Sequence, residues 1–160
     1  MRTKLAKAVY IVTLTAIGMS AADNSLGTWK RNMERTKYDQ KNPPSNPITS
    51  QTMIREAAEG GVKITTRGMR KDGTTIDTTC TVKYDGKSVP CNGTGSQFDT
   101  ISMKQIDANA FAVETKKAGG KYHTTGRIVV SKDGKTMTNT SKGTDAEGKP
   151  ISFNIVLDKQ

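Results

Sequence analysis

Two cysteines are the residues of this chain whose spacing supports chemistry most directly. Cys80 and Cys91 lie on either side of Asp85-Gly86, a dipeptide typical of two-residue hairpin turns. Such a turn pairs the flanking strands so that Cys80 faces Cys91, at the Cα separation of about 4.5–5.5 Å that a disulfide can bridge. The spacing lacks the Cys-x-x-Cys pattern of redox sites. We therefore predict a structural disulfide, with two free thiols or a redox pair as the alternatives.

The remaining chemistry-bearing residues do not form a catalytic or metal-binding pattern. His123 is the only histidine, and strand alternation places it with Thr125 and Arg127 on a face that we expect to be exposed. One histidine and two paired cysteines are too few for a metal site, and no nucleophile motif or glycine-rich phosphate loop accompanies them. We predict no catalytic residues, no metal and no cofactor; the enzymatic alternative is a hydrolase or isomerase built in a β-barrel.

Five similar turns recur along the chain and predict its architecture. Glycine supplies the positive φ that tight hairpin turns need. The turns are Lys71-Asp72-Gly73-Thr74, Tyr84-Asp85-Gly86-Lys87, Ala118-Gly119-Gly120-Lys121, Lys132-Asp133-Gly134-Lys135 and Ala146-Glu147-Gly148-Lys149. Together with strand-like patterns they predict strands at about 26–31, 50–57, 61–69, 75–84, 87–91, 97–106, 110–117, 121–131, 136–144 and 150–158. The polar, proline-containing residues 32–47 cannot be a regular element throughout and are predicted to be a long connection or an extended edge segment.

Alternating polarity predicts one buried and one solvent-exposed face for each strand. The pattern is clearest at the C-terminus, where Ile151, Phe153, Ile155 and Leu157 alternate with polar side chains. An antiparallel up-and-down meander of about 8–10 strands removes its exposed edges by closing into a barrel. The predicted fold class is therefore all-β with a closed barrel; a two-layer sandwich is the alternative.

Hydroxyl side chains occur at or near the inward positions of several strands, and buried hydroxyls need partners. They are Thr66, Thr78, Thr100 or Ser102, Thr115 and Thr124. We predict a cavity that holds water or a small amphipathic molecule, with a filled core as the alternative; a cavity below about 300 Å³ would be too small for a drug-sized ligand. The candidate wall residues are Ile64, Thr66, Thr78, Met103, Val113, Thr115, Phe153 and Ile155.

The N-terminus has the pattern of a cleaved signal peptide. Basic residues precede a short apolar run at residues 8–19, and Ser20-Ala21-Ala22 supplies small residues for cleavage. An uncleaved anchor is the alternative. We expect residues 1–22 to be removed and residues 23–160 to form a single secreted or periplasmic domain, where a disulfide is stable.

The charge of this expected domain is strongly basic. Of the 25 basic and 15 acidic residues, only three basic ones lie in residues 1–22, which leaves a net charge near +7. The densest group is Lys30, Arg31, Arg35, Lys37 and Lys41. We interpret this group as a solvated face, with an anion site as the alternative. Because aromatic residues are few, nucleic-acid binding is not expected.

Gly27-Thr28-Trp29-Lys30 at the start of the first strand, followed by a long meander, resembles the lipocalin and fatty-acid-binding-protein (calycin) superfamily. The resemblance implies a lipocalin-like barrel whose lower end is closed by Gly27 and Trp29. It also implies a small hydrophobic or amphipathic ligand, as in small exported lipocalin-like proteins of bacteria. The C-terminal Arg-x-Tyr that binds carboxylates in fatty-acid-binding proteins has no counterpart here.

Together these features predict an exported, non-enzymatic protein that holds an apolar or amphipathic molecule in a β-barrel. We expect it to be a monomer without stable membrane insertion after cleavage. The alternative is a filled basic barrel that binds anionic envelope polymers or a protein partner through its surface.

Overall fold

A computed structural model describes residues 22–160, so almost all of the predicted signal peptide lies outside the described residues. This part of the chain folds as strands and contains no helix that is long and apolar enough to cross a membrane. The strands are β1 (Gly27–Arg31), β2 (Lys37–Tyr38), β3 (Ile48–Ala58), β4 (Gly61–Arg70), β5 (Thr75–Lys83), β6 (Val89–Thr94), β7 (Thr100–Asp107), β8 (Ala110–Lys116), β9 (His123–Val130), β10 (Thr136–Thr144) and β11 (Pro150–Lys159).

The strands form a closed antiparallel barrel, as the sequence predicted. Each strand from β3 to β11 pairs with the next along the chain, and β1 pairs with both β3 and β11. This double pairing closes a ten-stranded barrel and rules out the sandwich alternative. The two-residue strand β2 is an addition that pairs with β11 alone.

Strand β2 lies within residues 32–47, which were expected to form a long connection or an extended edge segment. The chain continues from β1 along the same edge of β11: Arg31 pairs with Leu157, and after a short loop Tyr38 pairs with Phe153. Two hydrogen bonds hold this loop to β11: Asn32 N donates to Val156 O at 2.8 Å, and Val156 N donates to Thr36 Oγ1 at 3.2 Å. The edge segment thus exists, but its bounds were not predicted because two residues carry no alternation of their own.

The aspartate-glycine turns form as the sequence indicates. Gly73 has a φ of 87°, and Asp72 Oδ1 accepts a hydrogen bond from Thr74 N at 2.8 Å. The carboxylate of Asp133 accepts in the same way from Lys135 N at 3.0 Å. These side chains satisfy backbone donors within the turn and so fix the register of the strands on either side.

The predicted disulfide is present, although the turn from which it was inferred is different. Cys80 and Cys91 are direct partners in the β5–β6 ladder, bonded to each other with Cα atoms 4.4 Å apart. Asp85 and Gly86 do not close a two-residue hairpin, because Asp85 bridges to Lys104 on β7 and Gly86 N donates to the carbonyl of Met103. The connection between β5 and β6 is longer than a two-residue turn, but it is centred on the same position in the sequence. Cys80 and Cys91 therefore still pair as predicted.

The barrel is closed at one end by the N-terminal segment and β1, and we call this end the floor. Trp29 is completely buried there, and its Nε1 donates to Ser25 O at 2.8 Å. Lys159 Nζ lies 5.1 Å from the centre of the Trp29 ring. Gly27 has a φ of 123°, a backbone conformation that L side chains rarely adopt, so the start of β1 favours glycine. Trp29 is therefore a buried residue at this end of the barrel, on the strand that Gly27 begins.

Candidate ligand-binding cavity

The interior of the barrel contains a cavity of about 150 Å³ above the floor. Seven of the eight candidate wall residues line it: Ile64, Thr66, Thr78, Val113, Thr115, Phe153 and Ile155. The eighth, Met103, does not line this cavity; it is only 1% exposed and packs in the apolar core. Strand alternation therefore brings most of the expected wall together.

The interior hydroxyls follow the same alternation, with one exception. Thr124 lines the cavity beside Thr115, and their Oγ1 atoms are 2.8 Å apart. Thr100 and Ser102 do not line the cavity. Their neighbours Ile101 and Met103 belong to the apolar core, so alternation assigns Thr100 and Ser102 to the other face of β7, where Ser102 is nevertheless only 8% exposed.

The size of the cavity limits what it can enclose. A volume of about 150 Å³ is below the roughly 300 Å³ at which drug-sized pockets begin, and it resembles cavities that hold a benzene-sized molecule. A second pocket of about 90 Å³ lies at the opposite end of the barrel, which we call the mouth. The two spaces share wall residues, including Arg70, Tyr122 and Phe153.

The charged side chains around these two spaces are all cationic. Arg55 and Arg70 line the cavity, and Arg31 and Arg70 line the mouth pocket; neither lining set contains an aspartate or glutamate. Sequence reasoning assigned Arg31 to a solvated face, but it is only 4% exposed, so that interpretation is wrong. Its place is set by alternation with Trp29 on β1, which points both side chains inward.

Arg55 is the interior cation whose charge is least satisfied. It is 2% exposed, and its Nε donates to Ser25 Oγ at 3.1 Å. Within the described part of the chain, neither Nη1 nor Nη2 has a hydrogen-bond partner. Burial lowers the pKa of Arg55, and the nearby Tyr84 and Asp23 partly offset this effect. A guanidinium remains charged even so, and two unpaired buried donors are costly.

Arg31 and Arg70 form hydrogen bonds with groups at the mouth of the barrel. Arg31 donates to Gln51 Oε1 at 3.1 Å and to the Tyr38 hydroxyl at 2.6 Å. Arg70 Nε donates to Gly95 O at 3.1 Å, and its Nη1 donates to Asn46 O at 3.0 Å. These bonds tie the connecting segments to the barrel rim. Arg55 is therefore the interior arginine with a whole guanidinium edge left free.

A polar network lies beneath Arg55 and connects it to the floor. Asp23 Oδ1 accepts from Ser25 N at 2.9 Å, and Asp23 Oδ2 accepts from the Tyr84 hydroxyl. Burial, together with the hydrogen bond to Asp23, raises the pKa of Tyr84 to about 12. The Ser25 hydroxyl donates to Asp23 Oδ1 at 2.5 Å and accepts from Arg55 Nε, so the carboxylate balances part of the buried charge without bonding directly to the Nη atoms.

His123 lies on the outer surface, as strand alternation indicated. Its Nε2 is 2.7 Å from Glu114 Oε1, and the side chains of Lys116 and His123 hold the pKa of Glu114 below its usual range. Within residues 22–160, no group of three or more potential metal ligands is placed to hold an ion.

No protein-family model matches the sequence, and no curated protein matches it significantly. Two similar solved structures are barrels with bound DFHBI. A redesigned β-barrel, mFAP1, bound to DFHBI is 11% identical, with 85% of this chain and 95% of that chain covered and a TM-score of 0.48. EF1p2_mFAP2b bound to DFHBI is 10% identical, with 86% and 94% covered and a TM-score of 0.47. Similarity at this level does not identify a ligand for this chain.

Proposed function

We propose that this protein is a non-enzymatic binder of a small amphipathic anion, such as a compact carboxylate, inside the barrel. The proposal rests on one observation: Arg55 is 2% exposed, lines the cavity and has two Nη atoms without partners in the described chain. A carboxylate is the group that best fits a free guanidinium edge, because it accepts two parallel hydrogen bonds. The apolar body of the ligand would gain free energy by leaving water.

The shape of the ligand follows from the walls. Ile64, Val113 and Ile155 supply apolar contacts, while Thr78 and Thr115 offer hydroxyls that can orient a polar substituent. A volume of about 150 Å³ favours a body of about benzene size over a long alkyl chain. The charged end is expected at Arg55 and the apolar end towards the mouth.

We also propose that the protein works as a monomer outside the cytosol, as a secreted or periplasmic protein related to small exported lipocalin-like proteins. Residues 1–22 have the composition of a signal peptide. The Cys80–Cys91 disulfide adds support, because such bonds persist in oxidising compartments. Purification from the exported fraction, with the N-terminal residue determined, tests this point; a product that retains residues 1–22 would contradict it.

The binding proposal is tested with matched small ligands. Native mass spectrometry before and after organic extraction shows whether a molecule co-purifies, and calorimetry then compares benzoate with benzyl alcohol. We expect benzoate to bind at least about tenfold more tightly, because only the anion can pair with the guanidinium. Equal affinities would refute the anionic ligand, and no binding of either ligand together with no co-purified mass would refute the binding function.

A pair of variants locates the interaction. Arg55→Met should abolish the preference for benzoate over benzyl alcohol, because it removes the buried donors and keeps an apolar side chain of similar length. Arg67→Met is the matched control, since Arg67 is an exposed β4 arginine. A loss of the preference in both variants would indicate an effect of net charge and would contradict the role of Arg55.

A further inference from the structure

A second concave surface lies on the outside of the barrel, across β9, β10 and β11 and beside β2. It encloses about 880 Å³, although it is open to solvent. Its cationic side chains are Lys37, Lys41, Arg127 and Lys142, and its one carboxylate is Asp39. We call this surface the basic groove. It opens on the outer side of the barrel and is built mainly from outward-facing positions, although Ser141 and Phe153 line both the groove and the cavity.

The charges of the basic groove are not neutralised within the described residues. Among residues 22–160, seven ion pairs occur elsewhere on the surface, and none includes Lys37, Lys41, Arg127 or Lys142. Within the same part of the chain, the only side-chain hydrogen bond of these four runs from Lys37 Nζ to the carbonyl of Glu34 at 3.2 Å. A concave surface with unpaired charges of one sign concentrates ions of the opposite sign.

The strand register arranges the side chains that line the basic groove in rows. Across the strands, one row runs Arg127, Thr140, Asn154 and Lys37. A neighbouring row runs Thr125, Lys142 and Ser152. At about 4.8 Å between strands, the first row spans about 14 Å, with a cation at each end and hydrogen-bonding side chains between them. Such a row matches an extended chain that carries both acidic groups and hydroxyls.

The same surface is poorly suited to nucleic acid. Bases of single strands bind by stacking on exposed aromatic rings. The two aromatic residues at the groove are Tyr38, whose hydroxyl is bonded to Arg31, and Phe153, which also lines the interior cavity. Apart from Gly126 and the exposed Val129, the remaining uncharged lining residues are threonine, serine and asparagine, whose side chains can exchange hydrogen bonds with sugar hydroxyls.

We propose that the basic groove binds an acidic polysaccharide chain, with carboxylates paired to Lys37, Arg127 and Lys142 and sugar hydroxyls bonded to Thr140 and Asn154. Because the row crosses four strands, the chain would lie roughly perpendicular to the strands. This interaction is independent of the interior ligand and would place the ligand-binding barrel on an acidic glycan matrix.

The test compares two triple variants of the full exported protein. Lys37→Gln, Arg127→Gln and Lys142→Gln remove the groove charges; Lys83→Gln, Lys87→Gln and Lys104→Gln remove the same charge from exposed lysines of β5, the β5–β6 connection and β7. Affinity for polygalacturonate is measured at about 0.1 M NaCl, with neutral dextran and oligo(dT) as comparison probes. We expect the groove variant to lose about tenfold in affinity and the control less than about threefold.

Three outcomes would overturn the proposal: equal losses in both triple variants, no binding of polygalacturonate, or binding of oligo(dT) as tight as that of polygalacturonate. A second pair, Thr140→Val and Asn154→Ala, should weaken polygalacturonate binding without changing its salt dependence, because no charge is removed. Benzoate binding should be unchanged in every groove variant, so failure here and failure of the interior binding proposal can be told apart.

Discussion

Arg55 lies over the face of Phe111 in the barrel interior, with its Cζ 5.7 Å from the centre of the ring. Phe111 is completely buried, so a positive charge is held against an apolar core residue. The electron-rich ring face attracts the cation but satisfies none of its hydrogen-bond donors. The contact therefore positions the guanidinium, while its Nη atoms have no hydrogen-bond partner among the described residues.

The stability of Arg55 variants separates a binding role from a structural one. We expect ligand-free Arg55→Met to have a free energy of unfolding equal to or about 1 kcal/mol above that of the wild type, because an apolar side chain replaces an incompletely paired buried charge. Arg55→Ala should lose about 2–3 kcal/mol, since it leaves a void. Urea denaturation measures both. A loss above about 2 kcal/mol in Arg55→Met would show that the arginine stabilises the fold itself.

The sequence predicted the barrel well because its turns and alternation are local signals. Asp72-Gly73 and Asp133-Gly134 end strands regardless of what surrounds them. Alternation then places Ile64 and Phe153 on the cavity wall without knowledge of the partner strands. The same reasoning placed Cys80 opposite Cys91 even though the connection between them is not a tight hairpin.

The interior arginines were not predicted, because a charged residue in a strand is usually exposed. The available signal was alternation: Arg55 shares its parity with Met53 on β3, and Arg31 shares its parity with Trp29 on β1. Alternation does not predict which groups surround the end of each arginine side chain. Whether the guanidinium meets a carboxylate or a cavity depends on strands that are distant in sequence.

The pKa of Tyr84 predicts a loss of stability at high pH. Burial raises this pKa to about 12 in the folded protein, compared with about 10 in the unfolded chain. Folding therefore favours the protonated phenol, and its contribution is complete below pH 10 and is lost as the pH rises from 10 to 12. The urea midpoint of the wild type should fall more steeply over this window than that of Tyr84→Phe. Parallel profiles would contradict the shift.

Removal of the disulfide should destabilise the barrel without opening it. The Cys80–Cys91 bond closes a short loop, so the double variant Cys80→Ala, Cys91→Ala should lose about 2–3 kcal/mol, mainly because its unfolded chain is less constrained. Urea denaturation of both proteins under non-reducing conditions measures the difference. Because the two strands are also joined by ladder hydrogen bonds, circular dichroism should still report β-structure. A double variant as stable as the wild type would contradict this prediction.

Two glycines should respond differently to the same substitution, because their constraints differ. A Cβ on Gly126, within β9, would lie 2.2 Å from the carbonyl oxygen of Thr140, so Gly126→Ala requires two strands of the cavity wall to separate. We expect it to cost about 1–3 kcal/mol and to weaken benzoate binding.

Gly73 has open space around its Cβ position but a φ of 87°, so Gly73→Ala should cost about 1 kcal/mol through backbone strain alone. Benzoate affinity should be unchanged in Gly73→Ala, since that turn lies outside the cavity wall. Urea denaturation and calorimetry on the two variants test this distinction, and equal effects on benzoate affinity would show that the wall at Gly126 does not shape the cavity.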